Sequence, residues 1–453
     1  MNTGRVKPSS AVIVGLGKTG FSCARYLHAH GWRIAITDTR EHPPELPKLQ
    51  AFDPTIPVRL GGLETKLLDD ALCVVVSPGI SLAEPFFVEA RRRGLDIVGD
   101  VELFARAVDA PVVGVTGTNG KSTVTTLIGR MASRAGLNVR VGGNLGEPAL
   151  DLLWASESDA RKTELYVLEL SSYQLESTES LDLKAGVVLN VTPDHMDRYA
   201  TIEDYAAAKA RIFTRCDTAV INLDDPLVVA MPGPGQRTLG FSLRASIGAE
   251  YAVATGLDSK WWLTRRGELL LPVSGMKISG LHNAANALAA LALGEALGLP
   301  MQVMLEELRE FPGLAHRAQW VADVNGVTYV NDSKGTNVGA TLAAVAGMSG
   351  PLVMIAGGDG KNQDFAPLAD AFRGKVRHAV LIGRDAQAIA DALEGVCSVE
   401  RAATLEEAVR AAARVAKAGD TVLLSPACAS LDMFRDYTHR GAVFTQAVKD
   451  LAA

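Results

Sequence analysis

The segment Gly117-Thr-Asn-Gly-Lys-Ser-Thr123 carries the residue types that hold phosphate, in the order phosphate binding requires. Glycines let backbone N–H groups converge on an anion, Lys121 can reach terminal phosphates, and the hydroxyl of Ser122 or Thr123 can ligate Mg²⁺. A β-branched run at 112–116 leads into the loop. Residues 124–131 read as a helix whose N-terminal dipole adds to the attraction. Only Thr118 and Asn119 separate Gly117 from Gly120, so the loop is shorter than the general pattern G-x-x-x-x-G-K-[ST].

Further chemistry sits at other strand ends. Gly15-Leu-Gly-Lys-Thr-Gly20 follows one strand and opens a helix, and Asp38 closes the next strand. This fits a dinucleotide, but the physics requires only a phosphorylated ribose ligand at a helix N-terminus, so a nucleotide-sugar fits equally. Lys18 and Arg40 suggest an added anion, and Ser77-Pro-Gly-Ile80 offers a second polar strand end to the same crevice. Glu169 ends the apolar run at 165–168, where a buried carboxylate is costly unless paired or metal-bound. Asn190, Asp194, His195 and Asp197 follow another apolar strand and suit a Mg²⁺ site beside phosphates. His195 alone reads better as a hydrogen-bonded structural histidine; the phosphate loop and Glu169 on neighbouring strands reverse this in favour of a ligand role. Lys209, within Ala206-Ala-Ala-Lys209, reads as an ordinary solvent-exposed or ion-paired helix lysine. Asn283 and Asn286 lie one helical turn apart and could hold an adenine or ribose, or cap the helix. Three late strand ends, Asn331 to Asn337, Gly357 to Lys361 and Ser425 to Ser430, suggest a polar, anion-binding face.

The elements that must position these groups alternate between strand and helix. Strands are expected at 11–14, 33–37, 72–76, 112–116, 165–168, 185–190, 218–222, 328–331, 352–356, 379–382 and 421–424, with helices between most of them. Residues 240–273 read as a small antiparallel excursion, 283–297 as a helix, and 405–417 as a charged, solvated helix. Repeated βα units imply mostly parallel sheets with ligands at the carboxyl ends of the strands. At 453 residues, about three domains are expected. A net charge of −6 gives no support for a nucleic-acid-backbone binder. Five scattered cysteines without C-x-x-C spacing argue against a disulfide framework or structural zinc and fit a reducing cytoplasm. The first ten residues lack the apolar core of a signal peptide. The alanine-rich stretch 284–299, interrupted by Asn286 and Glu295, reads as a buried helix rather than a membrane span.

Taken together, and in this order along nearly the whole chain, these motifs resemble the Mur ligases of bacterial peptidoglycan synthesis. Gly117-Thr-Asn-Gly-Lys-Ser-Thr123 is similar to the family's phosphate loop, short spacing included. Leu168-Glu-Leu-Ser-Ser-Tyr-Gln174, Asp194-His-Met-Asp-Arg198, Asp332-Ser-Lys-Gly-Thr-Asn337 and Ser425-Pro-Ala-Cys-Ala-Ser-Leu-Asp432 resemble the member that adds D-glutamate. Gly335 stands where relatives often have alanine, and Tyr437 where phenylalanine is common.

The resemblance implies an α/β protein of three domains. Residues 1–103 are a Rossmann-like UDP-sugar domain, 104–313 a P-loop-type ATP domain with a small antiparallel element, and 314–453 a Rossmann-like amino-acid domain. It implies UDP-substrate contacts at Lys18, Thr19, Asp38, Thr39, Arg40, Ser77, Gly79 and Asn144. ATP falls to Gly117, Thr118, Asn119, Gly120, Lys121, Ser122, Thr123, Asn283, Asn286, Arg317 and Asp332, and D-glutamate to Thr336, Lys361, Ser430, Leu431 and Tyr437. Two Mg²⁺ ions are implied, one on Ser122 and Glu169, the other on His195 and a carbamate formed by CO₂ on Lys209. This replaces the reading of Lys209 as a surface lysine.

The implied reaction is ATP-dependent amide formation through an acyl phosphate, with Lys121, Glu169, His195 and Lys209 as its catalytic set. UDP-N-acetylmuramoyl-L-alanine, D-glutamate and ATP are its substrates, with neither nucleic acid nor membrane as partner, and a cytoplasmic monomer is expected. Because Arg317 follows the Pro312-Gly313 hinge, domain closure on ligand binding is expected to complete the site. The rival readings are a related muramoyl-peptide or folylpolyglutamate-type ligase, a nicotinamide-dependent dehydrogenase, and a non-catalytic nucleotide-binding regulator.

Overall fold

The computed structural model describes residues 9–157, 159–245, 248–278, 280–348 and 350–452. The N-terminal segment read above for a signal peptide therefore lies, up to residue 8, outside the described residues. Three β-sheets follow one another along the chain.

The first sheet is parallel, in the order β3 (Val58–Leu60), β2 (Arg33–Asp38), β1 (Ser10–Val14), β4 (Cys73–Val76), β5 (Asp96–Val98). Chain order reverses on either side of β1. The loops after β1 and β4 therefore diverge around a crevice at the strands' carboxyl ends, where doubly wound sheets take ligands. Apolar runs such as Cys73-Val-Val-Val76 are buried on both faces, as parallel strands covered by helices must be. The helix Asp100–Ala105 straddles the expected division after residue 103 and packs against the second sheet's helices.

The second sheet has nine strands. Its parallel part runs β7 (Val139–Gly143), β8 (Leu165–Glu169), β6 (Val112–Thr116), β9 (Ala185–Val188), β10 (Ala219–Asn222), β11 (Thr238–Ser242). The expected antiparallel excursion is β12 (Tyr251–Thr255), β13 (Trp261–Arg265) and β14 (Glu268–Pro272). It is not a separate unit. β11 pairs in parallel with both β10 and β12, so the hairpins extend the main sheet. The helix Leu281–Ala296 fills the core with alanine and leucine from Ala287 to Leu293. Among the described residues no helix is long and apolar enough to cross a membrane.

The third sheet runs β15 (Gln319–Val324), β16 (Val327–Asn331), β20 (Thr421–Leu424), β17 (Leu352–Gly357), β18 (Val376–Ile382), β19 (Ser398–Arg401). All neighbours are parallel except β15, an antiparallel edge strand that sequence reading missed. Its exposed Trp320 and the bulge between Trp320 and Ala322 hide the alternation that marks a strand. The helix Leu405–Val415 is solvated on one face only; Leu405, Ala408, Val409, Ala411 and Ala412 are buried. The strands β16, β20 and β17 are neighbours. The three polar motifs found late in the sequence thus emerge side by side from adjacent carboxyl ends.

Candidate active site

The phosphate loop joins β6 to the helix Lys121–Arg134. Gly120 has φ 86°, and a Cβ there would lie 2.3 Å from Asn286 Oδ1, so only glycine fits this turn. The loop is tied to the segment after β9. Thr118 N–H donates to Asn190 O at 2.9 Å, Asn119 N–H donates to Asn190 Oδ1 at 2.8 Å, and Asn190 Nδ2 donates to Asn119 O at 3.1 Å. Asn190 therefore supports the loop. The sequence reading of Asn190, Asp194, His195 and Asp197 as one Mg²⁺ cluster is not what the fold assembles. Asp194 is turned to Lys361 at 3.1 Å and accepts from Asn337 Nδ2 at 3.1 Å. Among the described residues no three His, Cys, Asp or Glu side chains form a metal-holding group.

A cavity of about 310 Å³ lies where the three sheets' loops meet. Lys121, Ser122, Glu169, His195 and Lys209 line it from the second sheet's side, and Arg317, Lys334, Thr336 and Lys361 from the third's. Lys121 Nζ donates to Gly117 O and Thr118 O, both at 2.9 Å, and burial pushes its pKa down. Lys209 lies on the helix Ile202–Ala210 but is only 1% exposed, which overturns its reading as a surface lysine. Small alanines beside it let the helix pack close, and its ammonium turns inward to Gly117 O at 2.9 Å, 4.3 Å from the Tyr205 ring centre. Burial and the neighbouring Lys121 push its pKa well down.

Glu169 is buried, as its place at the end of an apolar strand predicts. Its Oε1 accepts from Asn144 Nδ2 at 2.7 Å, while Oε2 is buried without a hydrogen-bond partner. An orphaned carboxylate oxygen in a cavity that the Ser122 side chain also lines is a fit for a hard cation. Ser122 Oγ accepts from Arg317 at 2.6 Å, so the strap formed by residues 311–318, which leads into β15, reaches the phosphate loop. His195 has φ 58° and faces Tyr173 with ring centres 5.0 Å apart; burial lowers its pKa although Asp194 opposes this. Burial raises the Asp194 carboxyl, but Lys361, His195 and Asn337 outweigh it and hold the group below its ordinary range.

A second cavity, about 280 Å³, opens on the other side of the phosphate loop. Asn119, Gly120, Thr123, Asn283, Asn286, Arg317 and Asp332 all line it. Asn286 Nδ2 donates to Asn283 Oδ1 at 3.2 Å, so the two amides share a face as their spacing predicted. Burial pushes the Asp332 carboxyl up to about 6, against hydrogen bonds from Ser425 Oγ and Ala318 N–H. Lys334 lines both cavities and was missed as a site residue. Its place in Asp332-Ser-Lys334, directly after a buried strand, was the available signal. Burial lowers its pKa to about 8, and its ammonium lies 4.1 Å from the Tyr437 ring centre.

A third cavity of about 620 Å³ occupies the crevice of the first sheet. Lys18, Thr19, Asp38 and Thr39 line it together with Arg40, Ser77, Gly79 and Asn144, so all eight expected UDP-side residues meet there. The space beside Gly17 is open, which leaves room for a ligand to approach the backbone. Asp38 is already saturated: Leu16 N–H donates at 2.7 Å, and Arg40 contributes Nε at 2.9 Å and a terminal nitrogen at 2.7 Å. Burial acts to raise its pKa, but Arg40 and Leu16 win and lower it. Pro78 and Asn144 line both this cavity and the one at the phosphate loop, so the two are adjacent. Ser430, Leu431 and Tyr437 lie outside the lining of these cavities. Ser430 is buried behind Lys361's loop, held through the Asp359–Ala429 bridge, and Leu431 is 73% exposed.

Three family models match the chain in order: a MurD-like Mur ligase N-terminal domain over residues 9–99, a Mur ligase middle domain over 115–294, and a Mur ligase glutamate ligase domain over 316–428. The UDP-N-acetylmuramoylalanine–D-glutamate ligase of Methylococcus capsulatus is 50% identical over 444 residues, covering 98% of this chain and 95% of that protein. The protein of the same name from Pseudomonas aeruginosa is 50% identical over 445 residues, covering 97% and 98%. Among solved structures, the UDP-N-acetylmuramate–alanine ligase MurC of Thermotoga maritima shares the fold with a TM-score of 0.61 at 18% identity, over 97% of this chain and 99% of that one. MurF from Acinetobacter baumannii gives a TM-score of 0.61 at 17% identity, over 98% and 92%.

Proposed function

The chain belongs to the Mur ligase family, and from that premise we propose that it joins D-glutamate to UDP-N-acetylmuramoyl-L-alanine at the expense of ATP. The observation that carries the reading is the meeting of Lys121, Glu169, Lys209 and Arg317 at one cavity that shares lining residues with a further cavity on each side. It acts on small molecules, and we place it in the cytoplasm as a monomer.

The UDP moiety occupies the crevice of the first sheet, with Lys18 and the N-terminus of the helix Lys18–Ala29 on its phosphates. The muramoyl chain passes Pro78 and Asn144 into the central cavity. ATP places its base and ribose between Asn283, Asn286 and Asp332, and its phosphates on the loop 117–123. An oxygen of the alanine carboxylate attacks the γ-phosphorus, the bond to the β,γ-bridging oxygen breaks, and ADP leaves. The amine of D-glutamate then attacks the acyl carbon and loses a proton, and phosphate departs. Lys121 and Arg317 neutralise the charge of the transferring group, which is most of what such a transfer asks of a protein. Lys361 and Thr336 hold the incoming glutamate, with Ser430, Leu431 and Tyr437 completing the surrounding loops.

Mg²⁺ fits the donors present: the orphaned Glu169 Oε2 and the Ser122 hydroxyl for one ion, His195 and Lys209 for the other. Such ions supply charge neutralisation to a phosphoryl transfer. Lys209 can serve only once its own charge is gone. Its burial beside Lys121 favours the neutral amine, which adds to CO₂ and loses a proton to give an anionic carbamate.

Phosphate release with UDP-N-acetylmuramoyl-L-alanine and each amino acid in turn tests the reading. Release with D-glutamate alone is expected, and release with another amino acid instead sinks it. A carbamate on Lys209 predicts that CO₂-free dialysis lowers activity and bicarbonate restores it. It also predicts a ¹³C-bicarbonate-derived NMR signal that Lys209→Ala removes.

A further inference from the structure

We infer that Arg440 is a positioning residue that sets the nucleotide loop and the amino-acid loop of the third sheet in register with each other. The inference rests on the assignment of those loops above. Arg440 lies in the first turn of the helix Tyr437–Ala452, and its side chain is 0% exposed, among the largest fully buried in the protein. Its hydrogen bonds go to uncharged acceptors. Nε donates to Ser333 Oγ at 3.0 Å and one terminal nitrogen to Ser333 O at 2.7 Å. The other terminal nitrogen donates to Cys428 O at 3.1 Å and Ala429 O at 3.3 Å. Among the described residues it makes no ion pair. Asp332 and Asp432 act on it only from beyond ion-pair distance, so the buried cation is expensive, and a packed apolar side chain would serve stability as well. What the guanidinium adds is geometry.

Each acceptor belongs to a site loop. Ser333 lies between Asp332 and Lys334 after β16, and its hydroxyl also donates to Tyr437 O at 2.8 Å. Cys428 and Ala429 precede Ser430 after β20. Ala429 in turn exchanges backbone hydrogen bonds with Asp359, at 2.8 and 3.1 Å, in the loop that carries Lys361. The β20 loop needs such a clamp, because Ala427 has φ 60°, a conformation that holds only when its surroundings enforce it. The next residue of the helix adds a second restraint. A Cβ on Gly441 would come within 2.2 Å of His316 Nδ1, so the strap carrying Arg317 rests directly on the same helical turn. One turn of helix therefore sets the strap and all three loops.

The test uses the full chain with Arg440→Lys and Arg440→Met. A displaced loop predicts that the KM values for ATP and D-glutamate rise together by roughly tenfold or more, while that for the UDP-substrate stays within about twofold. Unchanged KM values with kcat falling only in proportion to the folded fraction would mean a purely structural role and overturn the inference, as would a rise confined to one of the two. If neither variant folds, Ser333→Ala removes the bond from Arg440 Nε together with the one from the Ser333 hydroxyl to Tyr437 O. Both KM values should then rise about threefold, and no change overturns the proposal. Should the wild type show no D-glutamate-dependent phosphate release, the functional reading fails. Arg440 is then judged by ADP affinity alone, expected to weaken about tenfold in the variants and to be unaltered if the inference is wrong.

Discussion

The crevice of the first sheet and the cavity at the phosphate loop are both built at the carboxyl ends of parallel strands, yet they handle charge in opposite ways. In the first, Asp38 is saturated by Arg40 and Leu16 before any ligand arrives. In the second, five cations, Lys121, Lys209, Lys334, Lys361 and Arg317, line the cavity, and among the described residues its lining carries two carboxylates, Glu169 and Asp194. There the ammonium of Lys121 falls back on loop carbonyls, and Glu169 keeps a buried oxygen without a partner. A satisfied site is preorganised to bind. An unsatisfied one stores a demand for anions and cations that the reacting phosphates and metal ions meet. Damage to the first should therefore appear in affinity, and damage to the second in rate.

The largest effect expected is at Glu169. Glu169→Gln keeps the Asn144 contact but removes the orphaned charge, and kcat should fall by about 10³-fold with UDP-substrate affinity within about twofold. A matching loss of affinity, measured by calorimetry, would erase the distinction between the two cavities. Arg317→Ala comes next. It removes the guanidinium that reaches Ser122 and should cost about 10²-fold in kcat/KM for ATP in steady-state assays. Asp38→Asn tests the satisfied site: the UDP-substrate KM should rise about tenfold at unchanged kcat. A fall in kcat instead would show the crevice taking part in the chemistry.

The smallest effect separates the cavities by pH. Burial lifts the Asp332 carboxyl from its ordinary 3.8 to about 6, so it loses its charge as pH falls through about 6, whereas Asp38 is held below its ordinary value. Between pH 7.5 and 5.5 the ATP KM should therefore rise about three- to fivefold while the UDP-substrate KM stays flat. The sign for stability is opposite at the two residues. The folded state binds Asp332's proton more tightly than the unfolded chain does, so ionising it costs stability as pH rises from about 4 to 6. Asp38's contribution is present above its ordinary value and is lost as pH falls through its lowered one. The difference in urea midpoint between wild type and variant should slope in opposite senses, for Asp332→Asn between about pH 4 and 6 and for Asp38→Asn below about pH 4.

Much of this is legible in the sequence, and particular residues show why. Glycine at 117 and 120 after a β-branched strand marks a phosphate loop, because positive φ and strand propensity act locally. The two asparagines at 283 and 286 share a helix face by spacing alone. Asn190 was misread because a polar side chain after a strand looks the same whether it meets a metal ion or a neighbouring loop. Lys209 looked like a surface residue because helix periodicity does not reveal what packs on which face. Arg440 was not singled out, since a buried arginine near the end of a charged chain has no local mark.

The sequence by itself determined where strands, turns and helices alternate, which loops could take phosphate, and, through resemblance, the family. These properties live in spans of a few residues, where backbone sterics and side-chain period act. Only the tertiary structure decided which charges meet. Arg317 reaches Ser122 across 195 positions, Lys209 reaches Gly117 across 92, and Arg440 reaches Ser333 across 107. Desolvation and Coulomb interaction depend on distance in space, so neither the lowered pKa of Lys209 nor the orphaned oxygen of Glu169 exists until the sheets' loops are brought together.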